Sequence, residues 1–319
     1  MPTIKMSANT SQSQGPPVIV IGGANLDLKG RPSLSLQPKT SNPGVVKSSA
    51  GGVGRNIAHN LALLGVPVHL ITAWGDDAAG TYIQSVTAAA GVNLADSLTV
   101  PGGRSGLYIA LLERDGDLAV ALADMAILEN LTPAHLLSRK ANIERGRLVV
   151  IDTNLPAPTL AVAVSLARQA RIPLLAEPVS VEKARLLRDL LPDLDYVTPN
   201  REELEALVDG PVKSEEEIVL AAAKLRQQGV KGVVVTLGPR GIYLSSSAGD
   251  LFLPPYRGPV VDTTGAGDAL AAGFVYGLYR GFDLKRAAAC GLAAAALTVA
   301  SPETVNPELK AEALQRLLG

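Results

Sequence analysis

From Val18 onward the chain repeats one pattern: a short, continuously apolar run halted by glycine or polar residues, then a stretch with helical spacing. Val18–Ile21 (VIVI) stops at Gly22-Gly23, as a parallel strand buried on both faces does. Ile57, Leu61 and Leu64 mark a helix ended by Gly65, Val68–Ile71 is the next strand, and a helix follows over about Ala78–Ala90. Strands at Leu148–Asp152, Leu174–Glu177, Tyr196–Thr198 and Val233–Thr236, with two more near Ile242–Leu244 and Leu251–Leu253, continue the series. Helices about Pro158–Ala170, Val181–Leu191, Arg201–Val208 and Ser214–Gln228 separate them, and the chain is helical from Gly267 onward. Such alternation predicts an α/β fold with a mostly parallel sheet covered by helices on both faces.

Two segments break the pattern. Residues 29–49 are polar, carry Pro32, Pro38 and Pro43, and show no helical period; an excursion of that length in a compact unit needs a purpose of its own. Residues 106–123 read as two strands about Asp115-Gly116, a hairpin turn signal. Together they predict a small sheet standing off the main body. Residues 1–17 lack the apolar stretch of a secretory signal and read as a disordered tail.

A chain of 319 residues, 47% of them hydrophobic, can bury one large core. Its 29 basic and 30 acidic side chains leave a net charge of −1, which removes the broad electrostatic case for nucleic-acid or anionic-membrane partners. Aromatic residues at 3% make base-stacking platforms for single strands improbable as well. No run reaches the roughly 18 apolar residues of a membrane span. The single cysteine, Cys290, forms neither an internal disulfide nor a thiolate cage, and a reducing cytoplasmic setting is expected. His59, His69 and His135 lack metal-ligand spacing, and Lys183 reads as a solvated lysine that could reach a phosphate.

In parallel sheets ligands gather at the carboxyl ends of the strands, and five loops there carry chemistry. The sharpest is Asp262-Thr263-Thr264-Gly265-Ala266-Gly267-Asp268, running straight into an apolar helix. Its glycines let backbone N–H groups turn inward beside a helix N-terminus, making a pocket for an anion. A carboxylate at the mouth of that pocket would repel a resting phosphate. Asp268 makes sense there as the acceptor of a proton from an attacking hydroxyl; the alternative is a helix cap. Neither the Walker A pattern nor the dinucleotide fingerprint fits. Gly51-Gly52-Val53-Gly54-Arg55-Asn56 opens a helix and offers the Asn56 amide to hydroxyls. Alternation puts Asn25 and Asp27 on one side, as vicinal hydroxyls would need, unless they form an Asx turn. Asn200 and Glu203 have capping-box spacing, and could also reach hydrated Mg²⁺ and phosphate oxygens. Thr236 to Gly241 could flank a base or its ribose.

In this order the loops resemble the ribokinase-like family of sugar and nucleoside kinases. Gly51–Ala58 is similar to its first signature, Asp262–Ala269 to its second, and Asn200–Glu203 to its Asn-x-x-Glu motif. The resemblance implies a three-layer α/β/α sandwich using ATP and Mg²⁺. It makes Asp268 the catalytic base, with Gly265, Ala266 and Gly267 as the anion hole. Asn25, Asp27, Gly51, Gly52, Asn56 and Asn154 would hold the ribose; Asn200, Thr236, Gly238 and Gly241 would line the ATP site. Glu203 would meet Mg²⁺ through water, and Asp262 and Thr264 would support a monovalent cation, K⁺. Residues 29–49 and 106–123 would form a lid that covers a small-molecule nucleoside and pairs two subunits as a homodimer. Ser41–Gly44, Gly51–Ala58, Asn60–Gly65, Ala123–Met125 and Pro178–Ser180 resemble the branch acting on the 5′-hydroxyl of pseudouridine, with Asp124 as a candidate base contact. Glu177 stands where such kinases often carry Asp. Another nucleoside or ribose as acceptor, or a catalytically idle nucleoside-binding regulator on the same scaffold, are the competing readings.

Overall fold

A computed structural model describes residues 15–319. Most of the expected N-terminal tail therefore lies outside the described residues, while the Pro17 carbonyl already accepts the Arg147 N–H at 2.8 Å. The strands are β1 (Val18–Ile21), β2 (Asn25–Pro32), β3 (Gly44–Gly51), β4 (Val68–Ile71), β5 (Ala73–Gly75), β6 (Leu98–Val100) and β7 (Gly106–Leu112). After them come β8 (Leu118–Asp124), β9 (Leu148–Asp152), β10 (Leu174–Glu177), β11 (Tyr196–Val197), β12 (Gly232–Thr236), β13 (Ile242–Ser246) and β14 (Gly249–Leu253). Eight form the main sheet in the order β14-β13-β12-β11-β10-β9-β1-β4, parallel except for β13 and β14, which are antiparallel to their neighbours.

The apolar runs are continuous because both faces of this sheet are covered. In β1, Ile19 and Ile21 join one core cluster and Val18 and Val20 the other; β9 divides Val149 and Ile151 from Leu148 and Val150 in the same way. Period two thus sends successive hydrophobic residues alternately into the two layers. The fold is the three-layer α/β/α sandwich the sequence implies.

Some boundaries differ. The helix expected at Val181–Leu191 is a single α-turn, Val181–Ala184, followed by a 3₁₀ segment, Arg185–Asp193. Pro192 lacks an N–H and disfavours the α region in the residue before it, so the last turns tighten. The short elements β5, β6, Pro133–Ser138 and Lys140–Ile143 carried no sequence signal strong enough to read.

The second sheet has the order β3-β2-β7-β8. It begins at Asn25, earlier than the proline-broken stretch suggested, so Asn25 and Asp27 lie on a strand rather than in a loop. Its register sorts its side chains. Asn25, Asp27, Lys29, Ser49, Tyr108, Ala110 and Ala123 share one face, while Leu28, Val46, Ile109, Leu111, Val120 and Leu122 share the other.

The helix Ala266–Tyr279, which follows the anion loop, packs antiparallel on Leu284–Val299. The two approach so closely that a Cβ on Gly273 would stand 2.5 Å from the Cys290 carbonyl oxygen. Cys290 itself is a buried core residue, as expected. Gly273→Val should therefore destabilise the protein by ~1–3 kcal/mol, as overpacking does. Urea denaturation monitored by circular dichroism measures it; an unchanged midpoint would show that the pair has slack.

Candidate active site

The carboxyl ends of β1, β9, β10, β11 and β12 lie along one edge of the main sheet, and the predicted loops gather there. Asp152, at the end of β9, is fully buried and ties together the segment after β1, the start of the helix Val53–Leu63 and its own loop. Its Oδ2 accepts the N–H groups of Gly23 (2.8 Å) and Gly54 (2.7 Å), and its Oδ1 that of Asn154 (2.8 Å). Burial outweighs these bonds and raises its carboxyl above the usual range. The sequence marked Asp152 only as a strand end; its three-way contact depends on residues up to 129 positions away.

Asn25 donates its side-chain amide to Asp27 Oδ1 at 2.5 Å. The Asp27 carboxyl lies directly over Gly51, where a Cβ would come within 2.2 Å of Oδ2, so any larger residue there would displace that carboxyl. Burial raises Asp27 despite the opposing pull of Asn25, Arg55 and Lys29. Asn56, in the first turn of Val53–Leu63, donates Nδ2 to Asp268 Oδ2 at 2.7 Å. The orientation of that amide is fixed by Arg55, whose guanidinium donates to Asn56 Oδ1 and, through Nη1, to His59 Nδ1 at 2.9 Å. With its oxygen occupied, the Asn56 amide must present N–H to the carboxylate.

Arg55 is 2% exposed and its Nε has no partner among the described residues. Desolvation brings its pKa down to about 10, against the charges of Asp268 and Asp27. Burial, then the Arg55 charge, lowers His59 to about 4, so a neutral ring accepts from the guanidinium near pH 7. Asp268 is pushed up to about 7, chiefly by burial and also by the Asp152 and Asp27 charges, while the Asn56 bond and Arg55 hold it down. It is poised to take up a proton near neutrality.

Asp268 is the third residue of the helix Ala266–Tyr279, with Gly265 as N-cap at φ 80°. Glycine is needed at 265: beyond the dihedral, a Cβ would meet the Thr304 carbonyl oxygen at 2.1 Å. The Ala266 N–H turns back to Thr263 O at 3.2 Å, so it is a weaker anion donor than the sequence suggested. The first-turn N–H groups of Gly267 and Asp268 have no intrahelical acceptor, and the space where a Gly267 Cβ would stand is open. The groups expected to hold a monovalent cation, Asp262 and Thr264, are instead joined to Lys29: its Nζ donates to Asp262 Oδ2 (2.9 Å) and Thr264 Oγ1 (2.7 Å). Each of their side-chain oxygens thus already accepts a hydrogen bond, Asp262 Oδ1 from the Thr264 N–H.

Further along the edge, Asn200 and Glu203 form a complete capping box at 2.8 and 2.9 Å. Glu203 also faces Glu177, which accepts from Thr198 Oγ1. Burial first, then the neighbouring Glu203 charge, raises Glu177 well above the usual range; burial raises Glu203 too. Two buried carboxyls with free oxygens suit a hydrated divalent cation. The loop behind Glu177 holds Val179 at φ 66°, an outlier for a β-branched residue. Lys183 is not simply solvated: its Nζ donates to Asn154 Oδ1 at 2.5 Å. Thr236 bridges to Asn200, and Gly238 and Gly241 bound a 3₁₀ turn just beyond it. Asp124 does not join the site. By register it sits on the apolar face of the second sheet, opposite Asp27, and its carboxyl caps Ala126 at 3.2 Å.

The raised value of Asp268 has a consequence for stability. The ionised form is disfavoured in the folded state, so the group favours folding below its unfolded pKa of about 4 and loses that benefit as pH climbs through about 7. Asp268→Asn should melt higher than wild type, by a margin that widens from about pH 5 to about pH 8. Thermal denaturation at both values checks it, and a constant margin would contradict the assignment.

The pfkB family carbohydrate kinase profile matches residues 16–311. The uncharacterized sugar kinase YeiI of Escherichia coli (strain K12) is 35% identical over 92% of this chain and 81% of its own. The pseudouridine kinase of the same organism is 34% identical over 92% and 93%. A carbohydrate kinase from Agrobacterium tumefaciens superposes with a TM-score of 0.82 at 33% identity, covering 95% of this chain and 97% of its own. With that profile spanning nearly the whole chain and relatives at 34–35% identity, the chain belongs to the pfkB family of carbohydrate kinases.

Proposed function

We propose that this kinase transfers a phosphoryl group from ATP to the 5′-hydroxyl of pseudouridine. The observation that carries the reading is the Asn56–Asp268 pair beneath unpaired helix-end amides: a carboxyl near its titration midpoint at neutral pH, beside donors aimed at an anion. The 34% identity to a pseudouridine kinase supports the acceptor. Asn25, Asp27, Asn56 and Asn154 would bind and orient ribose hydroxyls. Asp268 takes the proton of the 5′-hydroxyl as its oxygen attacks, and the Gly267 and Asp268 amides steady the charge on the moving group. Thr236, Gly238 and Gly241 would line the nucleotide site, and Glu177 and Glu203 would hold Mg²⁺ through its waters. Bound ATP and Mg²⁺ supply the phosphoryl group and neutralise its charge.

Register also places Tyr108 beside Asp27 on the polar face of the second sheet, which favours an acceptor carrying a base over a bare sugar. That sheet would act as a lid excluding water. Its other face leaves Val46, Val120 and Leu122 more than half exposed, an apolar surface suited to a second copy of the chain.

ADP release measured with pseudouridine, uridine, adenosine and ribose should be fastest with pseudouridine, and a preference for another acceptor would overturn the assignment. Asp268→Asn should lower kcat by at least ~10²-fold; unchanged turnover would exclude it as the base. Val120→Glu should convert a dimer into monomers on size-exclusion chromatography with light scattering, and a wild-type monomer would reject the pairing.

A further inference from the structure

Lys29 lies two residues beyond Asp27 on β2, on the same polar face. From there it crosses to the anion loop, contacting residues 233 and 235 positions away. Each partner is already set to receive it. Asp262 uses Oδ1 to accept the Thr264 N–H at 2.8 Å, which leaves Oδ2 for the ammonium, and the Thr264 hydroxyl completes the cradle. Burial raises the Asp262 carboxyl, but the bonds from Thr264 and Lys29 prevail and hold it below the usual range. Elsewhere the loop is loosely held: Val260 and Val261 are largely exposed, and backbone bonds to the Val299 carbonyl are its other anchor before Thr263.

We propose that Lys29 is a positioning residue whose ammonium fills the place of a monovalent cation between Asp262 and Thr264, fastening the lid to the anion loop. The lid over the acceptor and the amides at the helix end are then ordered together, and the chain works without potassium. One charge does both jobs because it is carried on the lid strand itself. The activity arm of the test rests on the kinase reading; the exchange arm does not.

Hydrogen–deuterium exchange of the ligand-free protein compares wild type with Lys29→Met, Asp262→Asn and the double variant. Lys29 and Asp262 are each about a third exposed, so neither change threatens folding. Each single change should speed exchange in β2, β7 and residues 258–267 by roughly two- to tenfold, as expected for one part-exposed ion pair with an added hydroxyl acceptor. The double variant should be no faster than the singles, because they remove the same contact. In kinetics, wild type should show equal rates in potassium and tetramethylammonium buffers, and Lys29→Met should raise the acceptor KM more than it lowers kcat. Unchanged exchange in both single variants overturns the latch, whatever the acceptor proves to be. A wild-type enzyme stimulated several-fold by potassium overturns the substitution of lysine for the ion.

Discussion

Three carboxylates, Asp27, Asp152 and Asp268, converge on a cleft that contains one buried guanidinium, that of Arg55. Burial penalises every one of these charges, and the attraction of Arg55 for Asp268, and of Arg55 and Lys29 for Asp27, offsets only part of that penalty. Hydrogen bonds make up part of the deficit: backbone N–H groups for Asp152, the Asn25 amide for Asp27, the Asn56 amide for Asp268. Asp152, with three backbone donors, is the best satisfied. Asp268, with one side-chain amide, is left to absorb the imbalance by titrating near neutrality. The proton affinity of Asp268 is thus set by the whole cluster.

The central strands of the main sheet send hydrophobic side chains alternately into the two layers, and their ends present loops whose backbone groups bind Asp152. The helix carrying Asp268 is seated by the close approach of Gly273 to Leu284–Val299. Asp268 lies in the first turn of that helix, so its position follows the packing of the pair.

Much of this was legible in the sequence, for identifiable reasons. Unbroken apolar runs gave the parallel sheet because burial on both faces leaves no polar period to find. Asp115-Gly116 gave the hairpin, and the glycines before Asp268 gave the anion loop. What was hidden depended on register or on distant partners. Asn25 and Asp27 passed for a loop because Gly30 and Pro32 obscure the β2 pattern. Asp124 looked well placed because its parity relative to Asp27 is decided by strand pairing across β7, which no local pattern records. Arg55 was part of a motif, yet its role emerges only from its contacts with Asn56 and His59 and its proximity to Asp268 and Asp27. Lys29 was one cation among 29 until the fold brought it to Asp262. Val179 reveals its strain only in its dihedral angle.

The two-faced second sheet carries an implication for divergence. Ala121 and Ala123 stand near Tyr108 on its polar side; both are small and exposed, so larger or more polar groups can be installed there one at a time. Such exchanges touch neither the acids at the strand ends nor the paired helices behind them. The second sheet can therefore vary as one module while the acids carried at the strand ends of the main sheet stay fixed in another.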